Sequence, residues 1–292
     1  MTKREQPNLS AEHLIFPNPY RIGDAVALMT LRAWIEARHG KKTWYLAQQN
    51  DALPILSKFV PGGMKWFDPN EKPLTRRHIA GAPDDAEVFD DGNLWIWNDV
   101  FHKEGFRLDW EAPSTEQRYR IIFAPLPEVD YGTERAMQMT FVEQVAKRLT
   151  NIEGVVVLLP ETMSTHDWRR LRRTGATLLT EPSLERAITL IGNCGLFIGG
   201  DTGFSHIAGC FPSVQQISLH SKEKTDRHNE MEFDHLQDDR EYTEAISGVV
   251  GMYRATPNKQ SCRDIFFEHG GMDGKSFAAT MRAIDESMEV GK

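Results

Sequence analysis

Between residues 119 and 219 short apolar runs alternate with segments of helical periodicity, and that alternation restricts the fold more than any other feature of the chain. Strands are predicted over 119–124, 155–159, 177–179, 196–198 and 214–219, the last clear one. Helices are predicted between them over 133–149, 166–173, 183–191 and 204–210. Strand–helix–strand order of this kind builds a parallel sheet with both faces covered by helices. A sparser version of the pattern precedes it. Residues 13–16 read as a buried strand, and 24–38 as a helix whose Ala25, Leu28, Met29, Ala33 and Trp34 share roughly helical spacing. Residues 42–47 read as a strand and 51–59 as a short helix, with 65–67 and 94–97 as further strand candidates. The polar stretch 106–120, with Pro113 inside it, separates the two patterns. The expectation is two α/β domains, 1–115 and 116–270, followed by a closing helix within 271–292 that is a candidate to cross back to the first domain.

Composition supports a packed core and narrows the partners. Of 292 residues, 40% are hydrophobic and 10% aromatic, which argues against disorder. The formal net charge of −8 argues against a globally basic nucleic-acid binder. Three scattered cysteines (Cys194, Cys210, Cys262) make neither a disulfide framework nor a zinc cluster, and point to a reducing, cytoplasmic setting. The first residues, MTKREQPNLS, lack the apolar centre of a signal peptide, and no run approaches the ~18 apolar residues of a membrane span.

Two glycine-marked turns carry the candidate chemistry. In open parallel α/β sheets ligands sit beyond the carboxyl ends of the strands, where helix N-termini offer unpaired N–H groups. The first such turn is FPNPYRIGDAV, residues 16–26, with Arg21, Gly23 and Asp24 where the first helix begins. The second is IGGDTGFSHIA, residues 198–208. There Gly199, Gly200 and Gly203 permit close backbone approach, Thr202 adds a hydroxyl and His206 lies one turn along the helix. This is a candidate diphosphate cradle. Asp201 would repel an anion, so it is expected to cap the helix or brace the loop. Simpler roles compete at each position. Asp24 can serve only as an N-cap, the glycines only as a tight turn, and His206 only as a packed helix residue.

Together, IGDAVALMTLRAW and FIGGDTGFSHIAG resemble the glycosyltransferase family 9 heptosyltransferases, as does EPSLERAITLIGNCGLFIGGDTG leading into the second turn. The resemblance is good over about 181–210, fair over 13–38 and thin elsewhere. It implies the GT-B fold, two Rossmann-like domains with parallel sheets facing across a cleft. It also implies metal-independent transfer of a sugar from a nucleotide-diphosphate donor to an acceptor hydroxyl, with no cofactor beyond the donor substrate. Carried over by position, Asp24 matches the catalytic base. Gly200, Asp201, Thr202, Gly203 and His206 match the donor-diphosphate loop, and Arg21 and Gly23 lie in the loop on the acceptor side. One turn departs from the family. Residues 124–134, APLPEVDYGTE, offer Glu128 and Asp130 where family members place hydroxyls and a lysine.

The expected acceptor is a saccharide. The alternatives are a phage-type transferase modifying a hydroxylated DNA base, a GT-B-like nucleotide-sugar epimerase or hydrolase, and a non-catalytic binding protein on the same scaffold. In the DNA case Arg169, Arg170, Arg172 and Arg173 would contact the backbone. Asp-Thr-Gly also marks aspartic proteases, but those need a β-barrel and a second aspartate, whereas here the motif runs into a helical pattern. The acidic pairs Asp84-Asp85, Asp90-Asp91 and Asp238-Asp239 sit in polar loops, and His220, His228 and His235 are too loosely spaced for a zinc site. No metal site is expected.

Overall fold

The computed structural model describes residues 8–16, 22–46, 51–64, 86–88, 104, 106–125, 137–160, 163–180, 183–200, 202–221, 262–267 and 274–290. Backbone contacts divide the chain into two compact units, Met1–Trp110 with Met252–Pro257, and Glu111–Gly251 with Asn258–Lys292.

The first unit is organised by strand β1 (His13–Phe16) and helix α1 (Ile22–His39). β1 lies between β2 (Thr43–Leu46) and β3 (Glu87–Val88), parallel to both. Helix α2 (Ala52–Leu56) continues into a 3-10 turn, Ser57–Phe59. Every residue of α1 from Ala25 to Leu31 is buried, so that part of the helix is covered on all sides and not merely along one stripe. Polar side chains there are satisfied locally. Thr30 Oγ1 donates to the Val26 carbonyl at 3.0 Å. The buried Arg32 pairs with Glu36 at 3.0 Å and stacks over Trp44, whose Nε1 donates to Glu36 at 2.6 Å. Burial pulls the Arg32 guanidinium below its ordinary value, against the opposing effect of Glu36. The strand candidates at 65–67 and 94–97 lie outside the described residues.

The second unit is a six-stranded, fully parallel sheet of order β6-β5-β4-β7-β8-β9. Its strands are β4 (Ile121–Ala124), β5 (Val155–Leu159), β6 (Leu178–Thr180), β7 (Leu196–Gly200), β8 (Gln215–Ser221) and β9 (Cys262–Phe267). Counting strands within the unit, the order is 3-2-1-4-5-6, the doubly wound arrangement of nucleotide-binding sheets. The helices are α3 (Met139–Leu149), α4 (Thr165–Arg173), α5 (Leu184–Gly192), α6 (Gly203–Cys210) and α7 (Gly274–Val290).

Local sequence explains where these helices start. Ser164 and Ser183 accept hydrogen bonds from the Asp167 and Arg186 amides and so cap α4 and α5. Such a cap contributes about 1 kcal/mol. Phe141, Val142, Val145, Ala146 and Leu149 form the buried face of α3. They join Phe123, Val157, Ile198, Ile217 and the Ala283–Ile284 step of α7 in one core cluster. Each large side chain fully buried there contributes roughly 1.5–3 kcal/mol. Gly192, the last residue of α5, is required by packing, since a Cβ would sit 2.5 Å from Ala112 and 2.8 Å from Phe211. Residues 112–113 thereby pack against α5 within the second unit, and Asn193 Nδ2 adds a bond to the Pro113 carbonyl at 2.9 Å.

The sheet extends one strand past the expected last one. β9 pairs with β8 from Gln216↔Cys262 to Ser221↔Phe267. Its Arg263 and Asp264 break the apolar run that marks the inner strands, as an edge position allows, and Ile265 is buried.

Candidate functional site: two turns at the carboxyl ends of central strands

In each unit the candidate turn follows the strand from which the sheet order departs in opposite directions. In the first unit that strand is β1, flanked by β2 and β3. In the second, β4 and β7 are the adjacent strands at the reversal. The carboxyl ends at such switch points leave a crevice that adjacent crossover helices do not fill.

At the first turn, residues 17–21, including Arg21, lie outside the described residues. Gly23 and Asp24 are half-buried in the first turn of α1. Asp24 is the third residue of that helix and therefore not its N-cap, which removes the simplest structural role for it. As a first-turn acid it still complements the helix dipole, an effect worth about 0.3–1 kcal/mol.

At the second turn, β7 ends at Gly200 and α6 begins at Gly203. Asp201 lies outside the described residues. The N-cap residue of α6 is Thr202, in extended conformation at φ −136° and ψ 166°, so the capping expected of Asp201 falls to its neighbour. The Thr202 amide donates to the Gly200 carbonyl at 2.8 Å, and the Thr202 carbonyl accepts from the Ser205 amide at 3.0 Å. Its side chain does not complete the cap. Among the described residues, Thr202 Oγ1 is buried with no hydrogen-bond partner. A hydroxyl left this way costs roughly 1–3 kcal/mol. The first turn of α6 contains no acidic residue, so the positive end of its dipole is uncompensated by the helix itself. His206 sits one turn along, half-buried.

The glycines before this turn are needed for close packing. A Cβ on Gly199 would lie 2.5 Å from its Phe197 neighbour's ring and 3.1 Å from Ser205 Oγ, and one on Gly200 would lie 3.0 Å from Met137 Cε. Neither has a positive φ. Glu128 and Asp130 of the departing turn lie outside the described residues.

Sequence reasoning missed the polar bed beneath the second turn. Ser205 Oγ donates to the Gly200 carbonyl, and Gln216 Nε2 donates to the Ser205 carbonyl at 3.0 Å and to Ser218 Oγ at 2.8 Å. Ser205, Gln216 and Ser218 are all buried. The signal was present, since Gln216 and Ser218 are same-face polar residues of a strand that lies between two others in a parallel sheet.

The arginine cluster of α4 is partly engaged by its own unit. Arg170 forks onto Glu143 at 2.9 and 2.7 Å, and Arg172 lies over the Trp168 ring, 5.2 Å from its centre. The hydrogen bond from Arg170 holds the Glu143 carboxyl below its ordinary value, and Glu143 raises Arg170 in return. Arg169 and Arg173 are exposed. Among the described residues no helix is long and apolar enough to cross a membrane.

Residues 142–231 match the family model Glycosyltransferase family 9 (heptosyltransferase). No curated protein matches the chain by sequence. Among solved structures, the chain is similar to ADP-heptose lps heptosyltransferase II of E. coli, with a TM-score of 0.58 and 14% identity over 95% of this chain and 98% of that one. It is also similar to the glycosyl transferase family 9 protein of Veillonella parvula, with a TM-score of 0.56 and 10% identity over 96% and 97%. A third likeness is to E. coli heptosyltransferase WaaC with ADP-2-deoxy-2-fluoro heptose, with a TM-score of 0.50 and 11% identity over 94% and 99%. At such identities the structures speak for the GT-B fold, and the matched segment, which contains β7, the second turn and α6, speaks for the family. The family 9 signature over residues 142–231 thus sits in a chain that has the GT-B fold of the heptosyltransferase structures.

Proposed function

We propose that the chain transfers a sugar from a nucleoside-diphosphate donor to a hydroxyl of a saccharide acceptor, without a divalent metal, in the cytoplasm. The first domain takes the acceptor and the second takes the donor. Asp24 is the base: its carboxylate accepts the acceptor hydroxyl's proton while that oxygen bonds to the anomeric carbon. The bond from that carbon to the diphosphate oxygen breaks, and its electron pair leaves with the nucleoside diphosphate. Gly200, Asp201, Thr202, Gly203 and His206 form the donor-diphosphate loop. The first N–H groups of α6 and Thr202 Oγ1 donate to the departing oxyanion, a task given to a metal in other transferases. Arg21 and Gly23 shape the acceptor loop. The buried thiols Cys194 and Cys210 accord with a reducing compartment.

The observation that carries this reading is the orphaned Thr202 hydroxyl at the start of a helix with no first-turn acid, beside the reversal of a 3-2-1-4-5-6 sheet. Thr202→Val tests it, because the two accounts of that hydroxyl predict different results. Valine keeps the shape and removes an unsatisfied group, so the free protein should melt at the same temperature or higher. Nucleoside diphosphate binding, followed by calorimetry with ADP, GDP, UDP and CDP, should weaken about 10- to 100-fold, the loss of one hydrogen bond to a charged group. A variant that binds as tightly as the parent would remove the second turn from the proposal.

A further inference from the structure

Inner strands of a parallel sheet are buried on both faces and are built from valine, isoleucine and leucine. β8 lies between β7 and β9, and carries glutamine at position 216, only 5% exposed. An amide in that setting is costly unless its hydrogen bonds are made. Here both amide protons have acceptors, one on each side of the side chain: the Ser205 carbonyl at 3.0 Å and Ser218 Oγ at 2.8 Å. Ser205 passes the connection on, since its hydroxyl donates to the Gly200 carbonyl. The chain of bonds therefore runs from β8, through the first turn of α6, to the last residue of β7. Its two ends lie on either side of residues 201 and 202.

We infer that Gln216 is a positioning residue that fixes the start of α6, and with it the Thr202 hydroxyl and the helix's first N–H groups, at the spacing a donor diphosphate requires. The inference rests on reading residues 200–206 as the diphosphate loop. A hydrophobic side chain of similar volume would fill the same space and leave the Ser205 carbonyl without its second donor. It would hold the core but not the angle of the helix. Sites that bind anions through main-chain amides depend on such supporting bonds, because a small displacement weakens every donor at once.

The test uses the full chain and two variants. Gln216→Met keeps length and approximate volume and removes the donor. Gln216→Glu keeps the shape, has no donor while the carboxyl is ionised and regains one of the two when it is protonated. Binding of ADP, GDP, UDP and CDP is compared with binding of the corresponding nucleosides. Gln216→Met should weaken the best diphosphate about tenfold, the size expected for one lost supporting hydrogen bond, and leave its nucleoside unchanged. In Gln216→Glu the buried carboxyl faces two acceptor oxygens, which favours its protonated form. Diphosphate affinity relative to the parent should therefore recover in part as pH is lowered from 8 to 5.5, and nucleoside affinity should not follow. That pH dependence would be absent if residue 216 only filled space.

Failures separate cleanly. If the parent binds no diphosphate, or if Thr202→Val binds as the parent does, the reading of the loop fails and this inference falls with it. If Thr202→Val weakens diphosphate while Gln216→Met binds like the parent, the loop stands and the role given to Gln216 is wrong. Equal loss of diphosphate and nucleoside in Gln216→Met would also overturn it. Should Gln216→Met fail to fold, Gln216→Glu decides alone: a pH-independent affinity ratio to the parent sinks the inference.

Discussion

The two glycine-marked turns look alike in sequence and differ in electrostatics. Helix α1 carries Asp24 in its first turn, so the positive end of its dipole already faces a carboxylate. Helix α6 has no acid in its first turn, and its N-cap residue leaves a buried hydroxyl unused. The first turn of α1 presents a negative side chain, whereas among the described residues the first turn of α6 presents none. The same backbone device, a helix opening at the carboxyl end of a central strand, thus carries a first-turn carboxylate in one unit and none in the other. That difference accounts for the division of labour proposed for them, a base at the first and a leaving-group site at the second.

The largest effect should come from removing the carboxylate that sets the first turn apart. Asp24→Asn keeps the shape and loses only the charge. Turnover should fall about 10²- to 10⁴-fold, the range for loss of a general base. The fold should lose the helix-dipole contribution, roughly 0.3–1 kcal/mol, and diphosphate affinity should be unchanged. Steady-state rates beside thermal melts read both quantities. An active Asp24→Asn would leave the two turns differing in charge but not in chemistry.

The reverse exchange should cost less but is more pointed. Gly203→Asp gives α6 the first-turn acid that α1 has. The added carboxylate complements the helix dipole, so melting should hold or improve slightly. Diphosphate binding should drop about 100-fold, as expected for like charges ~5–6 Å apart at an effective dielectric near 20. Calorimetry gives the affinity. A Gly203→Asp variant that binds diphosphate normally would show that the anion does not sit at this helix.

How far the sequence discloses the molecule follows the same contrast between strong and weak local signals. β1, β5 and the helices α4 to α7 are legible from their local apolar pattern, and at α4 and α5 the serine caps Ser164 and Ser183 agree with it. β3 is not, because a two-residue strand, Glu87–Val88, carries no period. β9 is hidden because an edge strand tolerates Arg263 and Asp264, which read as loop. In the site, Thr202 and His206 could be found from their spacing along a strand–turn–helix pattern. The support beneath them could not, because the bonds among Ser205, Gly200 and Gln216 join residues whose pairing depends on the β7–β8 register. The unsatisfied state of Thr202 Oγ1 is likewise a fact of packing. From the sequence a threonine before a helix reads as an ordinary cap.

The smallest effect belongs to the α3–α4 brace, away from both turns, and it serves as the control. Glu143 is held below its ordinary pKa chiefly by the hydrogen bond from Arg170. A carboxyl depressed in the folded state contributes stability that is present above its unfolded value, near 4.3, and lost as pH falls through the folded one. Glu143→Gln should therefore lower the melting temperature slightly at pH 7, by about 2 °C or less for a solvent-accessible pair, and the gap should close as pH falls below about 4. Added salt should shrink the gap as well, because the pair is screened. Turnover and diphosphate affinity should match the parent. The variant also frees Arg170 to join Arg169 and Arg173 on the surface of α4, which should strengthen any contact of that face with a nucleic-acid backbone. Retention of Glu143→Gln on immobilised duplex DNA at low salt, compared with the parent, is the measurement. Unchanged retention would keep the arginines as a structural brace and leave the saccharide as the acceptor.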